Sequence, residues 1–411
     1  MRILWVKVGG LWPVNTGGRL RSFHILSELS DRHEVTVLTT HHPDDDPDAL
    51  KRKLSACKIW SLEHASPKRD SAGFILALFR SWFTALPVDL YKNRIEALHE
   101  EVSRRLREEH YDLCIADFLV AVPNIGFDQP VPVIYFSHNV EYMIWQRLCD
   151  TQTRFWRKLL LGLEWRKLRR YEKLACQRVN LTLAVSVEDE NHLRRIAGSD
   201  NIRSIPTGVD LDYFTPGGGP LTVQSPELVF TGSMDWYPNE DAILHFIANI
   251  FPYIRSKMPG VTLSVVGRNP GRRLRETAQH TGIRVTGTVD DIRSYIEAAA
   301  VYIVPLRVGG GTRLKIFEAL SMAKAIVSTS VGAEGLPLKN GTHFLCADDP
   351  EEFAAKVVEL LQNPALRLKL GEAGRRLVAE HYSWGKVADK FETCCGEVPG
   401  TRLAPVGARP I

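Results

Sequence analysis

Long apolar runs are missing from this chain. The longest, Phe74 to Phe79 and Leu159 to Leu163, fall far short of the roughly 20 residues that cross a bilayer. Met1 to Val8 is too short and too charged for a secretion signal. Cysteine is sparse and scattered: seven residues (57, 114, 149, 176, 346, 394, 395), an odd number, with no C-x-x-C spacing. That pattern speaks against a disulfide framework and against a zinc site, and it fits thiols in a reducing compartment. Surplus charge is also small. A formal +4 is too little to call for nucleic acid as a partner. No two carboxylates stand at a spacing that suggests paired acid and base, which argues against a glycosidase. These absences lead us to expect a cytoplasmic protein without a metal or an organic cofactor.

What the chain does contain is alternating α/β rhythm. Its 411 residues suffice for two or three domains, and 44% hydrophobic with 24% charged is ordinary for a globular enzyme. Ile3 to Val8 reads as a strand of a parallel sheet covered on both faces, because its apolar run is nearly continuous. A glycine-rich loop follows and ends in Gly17-Gly18. Leu20, Phe23, Leu26 and Leu29 then keep helical spacing before a second strand, Glu34 to Thr39. The loop is too long, and its glycines wrongly spaced, for the dinucleotide fingerprint G-x-G-x-x-G. Gly17 and Gly18 would let a ligand approach the helix start; a surface turn needing positive φ is an equal alternative. Further strands are expected at Asp112 to Ala116, Val131 to Phe136 and Leu181 to Val185. His138 lies just past the second of these. Ligands of open parallel sheets sit outside the carboxyl ends of strands, so His138 is a candidate for proton exchange with a substrate. A histidine capping the next helix is the plainer alternative.

Pro216 to Pro220, with three consecutive glycines, is the clearest linker signal. Beyond it, strands are expected at Glu227–Thr231, Val261–Val266, Arg284–Thr286, Val301–Pro305, Ala325–Ser328 and His343–Cys346. The densest motif follows the fourth of these: Gly309-Gly310-Gly311-Thr312-Arg313-Leu314-Lys315, with Glu318 one helical turn on. Glycines bring backbone N–H groups close to a phosphate, and the first turn of a helix points unpaired donors at it. Arg313 adds a planar fork of donors and Lys315 a mobile charge. A carboxylate beside such a cradle suits a neutral diol, as in a ribose.

Thr153 to Arg178 carries nine Lys or Arg against two Glu. Trp156, Leu160, Leu163, Tyr171 and Leu174 fall near helical spacing within it. A basic amphipathic helix with aromatic residues suits an anionic membrane surface. It could equally pack on the domain and keep its basic side in water.

The order of several motifs resembles the family-4 retaining glycosyltransferases of the glycosyltransferase-B fold. Those motifs are Ala184-Val185-Ser186, Ile205-Pro206-Thr207-Gly208-Val209-Asp210 with Tyr213-Phe214, Phe317-Glu318-Ala319-Leu320 and the closing Tyr382-Ser383-Trp384. The run Gly17-Gly18-Arg19-Leu20-Arg21-Ser22 with His33-Glu34-Val35 is similar to a subset tied to cell-surface polysaccharide assembly. The resemblance implies an α/β protein of two Rossmann-like parallel-sheet domains facing across a cleft. Residues 1–215, joined by a last helix at 384–397, would form the acceptor side. Residues 221–383 would bind a nucleoside-diphosphate sugar, and 398–411 would be a disordered tail. It further implies a glycan or lipid-linked sugar acceptor, and a place that is cytoplasmic or peripheral at the inner face of the membrane. By the same resemblance Glu318 holds the nucleotide ribose, His138 stands beside the donor sugar, and Gly17 and Gly18 lie near the diphosphate. The first glutamate of the family's E-x7-E motif falls on Gly310, and the usual Arg and Lys are absent from Gly232 to Asn239. An epimerase of nucleotide sugars and a non-catalytic nucleotide-sugar binder are the alternatives.

Overall fold

A computed structural model describes the chain except residues 15, 69–70, 151, 153, 218–225, 279–281, 309–313 and 401–411. Two compact units emerge: Met1–Pro206 with Val387–Ile411, and Thr207–Lys386.

The N-terminal unit is built on a seven-stranded parallel sheet. Its strands are β1 (Arg2–Lys7), β2 (Glu34–His41), β3 (Lys58–Glu63), β4 (Leu113–Asp117), β5 (Val133–Phe136), β6 (Leu181–Ala184) and β7 (Ile202–Ser204). They lie in the order β3-β2-β1-β4-β5-β6-β7. The chain winds one way from β1 to β3 and the other way from β4 on, so β1 and β4 flank the switch point, where loops splay apart and ligands bind. Register sets Lys7 beside Asp117, and Asp117 beside Phe136. Both faces of β1 are covered. Leu4 and Val6 join the larger core, and Trp5 faces the other way. There Trp5 stacks on Phe391 at 5.7 Å between ring centroids, and Phe136 meets the same ring edge-on at 5.2 Å. Phe391 lies on helix Trp384–Gly396, so the end of the chain completes the core begun by its first strand.

The C-terminal unit has six parallel strands: β8 (Glu227–Thr231), β9 (Thr262–Val266), β10 (Ile283–Val285), β11 (Val301–Val304), β12 (Ile326–Ser328) and β13 (Leu345–Cys346). Their order is β10-β9-β8-β11-β12-β13, again with a switch, here between β8 and β11. The unit begins earlier than the 216–220 stretch suggests. Val209 N–H donates to Tyr382 O at 2.8 Å, and Gly208 lies where a side chain would run into the Trp384 ring. The segment after Pro206 is therefore already part of this unit. Of the expected tail, Val398 is buried and 401–411 lie outside the described residues.

Candidate functional site

Each unit carries one cluster of polar side chains at the carboxyl ends of its strands. In the N-terminal unit, Lys7 ends β1, Asp117 ends β4 and His138 follows β5. All three are buried. The Lys7 ammonium lies 3.1 Å from Asp117 Oδ2 and donates to Ser22 Oγ at 3.0 Å. Trp5 Nε1–H donates to the same Oδ2 at 2.9 Å, and His138 Nε2 lies 2.8 Å from Oδ1. Burial pushes the Asp117 carboxyl up, but Lys7 and the His138 hydrogen bond outweigh it and hold it well below the usual carboxylate range. A charged carboxylate only accepts, so the His138 proton sits on Nε2. Burial lowers the His138 pKa to about 3 against the pull of Asp117, and the ring is neutral at physiological pH. Its Nδ1 is then a bare lone pair, buried and without a partner among the described residues. Leaving such an acceptor unmet costs about 1–3 kcal/mol.

Neighbouring side chains hold that ring. Phe118 stacks on it at 3.9 Å with 8° between planes. Phe118 itself has φ of 72°, a region that costs a non-glycine residue about 1–3 kcal/mol. Gly18 makes room for it, since a Cβ there would come 2.3 Å from Phe118 Cζ. Gly17 and Gly18 are the first residues of helix Gly17–Ser30, and neither has positive φ. The turn that the sequence offered as the alternative for them is not present; the positive-φ glycines of the loop are Gly9 and Gly10. Arg21 is buried too and donates to Ser137 O at 2.8 Å and Ile205 O at 2.6 Å, tying the ends of β5 and β7 together.

In the C-terminal unit, Lys315 and Glu318 lie on helix Leu314–Ser321, one turn apart. Lys315 Nζ donates to Asn239 Oδ1 at 2.7 Å and lies 4.1 Å over the Phe230 ring. Asn239 in turn donates to Ser233 O at 2.8 Å, so it braces the loop after β8 against the lysine. Glycine is needed at two points here. A Cβ on Gly232 would stand 2.8 Å from Lys315 Nζ, and one on Gly267 would stand 1.7 Å from Gly232 O. The strand-end loops can pack this closely only without side chains. Burial raises the Glu318 pKa to about 7, with Lys315 pulling the other way. Gly309, Gly310, Gly311, Thr312 and Arg313 lie outside the described residues.

Asp117, Lys7, Phe118 and Asn239 were not singled out from the sequence. A signal existed for two of them: a lysine and an aspartate closing otherwise apolar strands, Ile-Leu-Trp-Val-Lys and Leu-Cys-Ile-Ala-Asp. Charges there must pair or be expelled.

Residues 17–213 match the profile of Glycosyltransferase Family 4, and residues 225–363 match that of Glycosyl transferases group 1. The chain belongs to the family-4 glycosyltransferases. It is thus a glycosyltransferase, and the epimerase and binder alternatives fall away. An uncharacterised 44.6 kDa protein in the cps region of Klebsiella pneumoniae is 20% identical over 400 residues, covering 94% of this chain and 97% of that protein. A D-inositol 3-phosphate glycosyltransferase of Nocardiopsis dassonvillei is 25% identical over 253 residues, 55% of this chain and 58% of the relative. Among solved structures, Anabaena HepE in complex with UDP and glucose superposes with a TM-score of 0.68 at 14% identity, covering 97% and 100% of the two chains. Sucrose-phosphate synthase of Thermosynechococcus elongatus gives 0.69 at 17% identity, covering 96% and 98%. At these identities the structural likeness shows the fold, which is the glycosyltransferase-B fold of this family.

Proposed function

We propose that this family-4 enzyme moves a sugar, with its anomeric configuration retained, from a nucleoside-diphosphate sugar to a glycan or lipid-linked acceptor in cell-surface polysaccharide assembly. The observation that carries the donor is the pairing of Lys315, set by Asn239, with Glu318 one turn on at the carboxyl ends of a parallel sheet. Lys315 takes the diphosphate, with Arg313 and the glycines of 309–311 and Thr312 completing the cradle, while Glu318 accepts from the ribose hydroxyls. As the glycosidic bond breaks, negative charge grows on the departing diphosphate. Fixed cations and the helix start stabilise that charge more than they stabilise the intact donor, which is catalysis without a required metal ion. The bare Nδ1 of His138 accepts from a hydroxyl of the transferred sugar and orients it. HepE with bound UDP, and a relative in a cps region, support the donor and the setting. The motif order shared with the family-4 retaining glycosyltransferases supports retention.

A panel of nucleotide sugars, read first by thermal shift, tests the donor, because a tight ligand stabilises the folded state. The stabilising donor should be turned over with release of nucleoside diphosphate, unaffected by a chelator. The product's anomeric proton should show the donor's configuration by NMR. Inversion, or loss of turnover on chelation, would overturn the corresponding part of the reading.

A further inference from the structure

Helix Phe155–Arg178 does not present the amphipathic stripe its spacing suggests. Tyr171 is buried, whereas Trp156, Leu163 and Leu174 are exposed. Both of its acids turn inward. Glu164 accepts from Val88 N–H at 2.7 Å, at the start of helix Val88–Lys92. Glu172 is wholly buried. Its Oε1 accepts from Glu141 N–H and its Oε2 from Tyr142 N–H, both at 3.0 Å. Tyr135 Oη lies 3.5 Å from the same Oε1.

Glu172 differs from Glu164 in what it holds. Tyr135 lies on β5, and Glu141 and Tyr142 open helix Glu141–Asp150. His138 stands between them in the chain. One carboxyl group thus reaches both ends of the short segment that carries His138. The segment has little means of fixing its own far end. Val140, the residue before the helix, is apolar and cannot cap it as Ser, Thr, Asp or Asn would. The Asn139 carbonyl accepts from Ser137 Oγ at 2.7 Å, and the Ser137 carbonyl from Arg21. Helix-opening N–H groups have no partner within their helix, and leaving them unmet away from water is costly.

We propose that Glu172 is a positioning residue of the transfer reaction. By fixing both ends of the 136–140 segment, it sets the direction from which His138 Nδ1 meets the transferred sugar. The proposal rests on the role given to His138 above. Phe118 and Asp117 fix the plane and tautomer of the ring, and Glu172 fixes the backbone that bears it. Orientation of this kind is worth much in rate, since a misplacement of about 1 Å can cost about a hundredfold.

A double-mutant cycle with His138 tests it in the full chain. Turnover is read as nucleoside-diphosphate release from UDP-glucose, GDP-mannose and ADP-glucose. Glu172→Met keeps the volume and removes both acceptors. Glu172→Gln keeps one oxygen, while its amide nitrogen has no lone pair for the second N–H. Glu172→Met should lower kcat by up to about a hundredfold, and Glu172→Gln by less, each with a smaller change in KM. In a His138→Ala background neither should lower kcat further, because residues that act as one unit are not additive. Losses that multiply would overturn the proposal and leave the reading of His138 intact. Native kcat in His138→Ala alone would remove that reading, and the proposal with it. Histidine-15N NMR needs no substrate, and Glu172→Gln suffices for it should Glu172→Met fail to fold. The His138 ring signals, assigned by their loss in His138→Ala, should shift or split in Glu172→Gln while those of the other histidines hold. Unmoved His138 signals would overturn the proposal.

Discussion

At Asp117 three donors converge on one carboxylate, from Lys7, Trp5 and His138. Asp117→Asn would leave the Lys7 ammonium buried without a counter-charge, a loss of about 3–5 kcal/mol when one member of a buried pair is removed. Thermal unfolding should show it, and a change within the error of the melt would mean that Lys7 finds another partner. His138 is already neutral, so its own titration should put no limb near pH 6.5 in the activity profile. His138→Ala should lower kcat more than it raises KM, because orientation matters most as the bond breaks. In the C-terminal unit, Lys315→Ala should weaken nucleoside-diphosphate binding by about 1.5–3 kcal/mol, the usual worth of a charge-assisted hydrogen bond. Glu318 adds a pH signature. Its ionised form accepts from hydroxyls and its pKa is raised to about 7, so donor affinity should climb as pH rises through that value. Isothermal titration across this range should give a slope in the native enzyme and a flat line in Glu318→Gln.

Among the elements, strands were the most legible in the sequence. The six strands of the C-terminal unit lie within two residues of where apolar runs place them at either end, because a strand buried on both faces has to be apolar throughout. The strands missed were β3 and β7, both at edges of their sheet, where one side is free and the apolar signal thins. His138 was found by its address after β5, but its partner Asp117 was not, since two residues 21 apart meet only through the β4–β5 register. In the long basic helix, spacing left open where the two glutamates point. Glu172 is turned inward, where it accepts from the N–H groups of Glu141 and Tyr142 at the start of helix Glu141–Asp150. Burial and the nearby Glu141 raise its pKa from 4.5 to about 8. The folded state therefore keeps a proton that the unfolded chain has lost. The stabilisation linked to that proton is fully present below pH 4.5 and is lost as pH rises through about 8. Glu172→Gln cannot ionise, so its melting temperature should fall less than the native value between pH 5 and 8; parallel curves would contradict the assignment.

At the scale of the whole molecule, the N-terminal unit is discontinuous in sequence and the C-terminal one continuous. Phe391→Ala empties the space against Trp5 and Phe136, and deleting a large core ring typically costs about 3–5 kcal/mol. In calorimetry the transition of the N-terminal unit should move down while that of the other stays; a uniform shift of both would mean that the two unfold as one. The same arrangement bears on synthesis. A ribosome that has finished Pro206 must add about 180 further residues before Phe391 is made, which takes roughly 10–40 s at bacterial or eukaryotic elongation rates. Throughout that interval the aromatic face of Trp5 and Phe136 has no cover, and by its end the later-made unit has all its strands. The first unit to be translated is thus the last to be closed, and its nascent form is where chaperone capture or aggregation should concentrate.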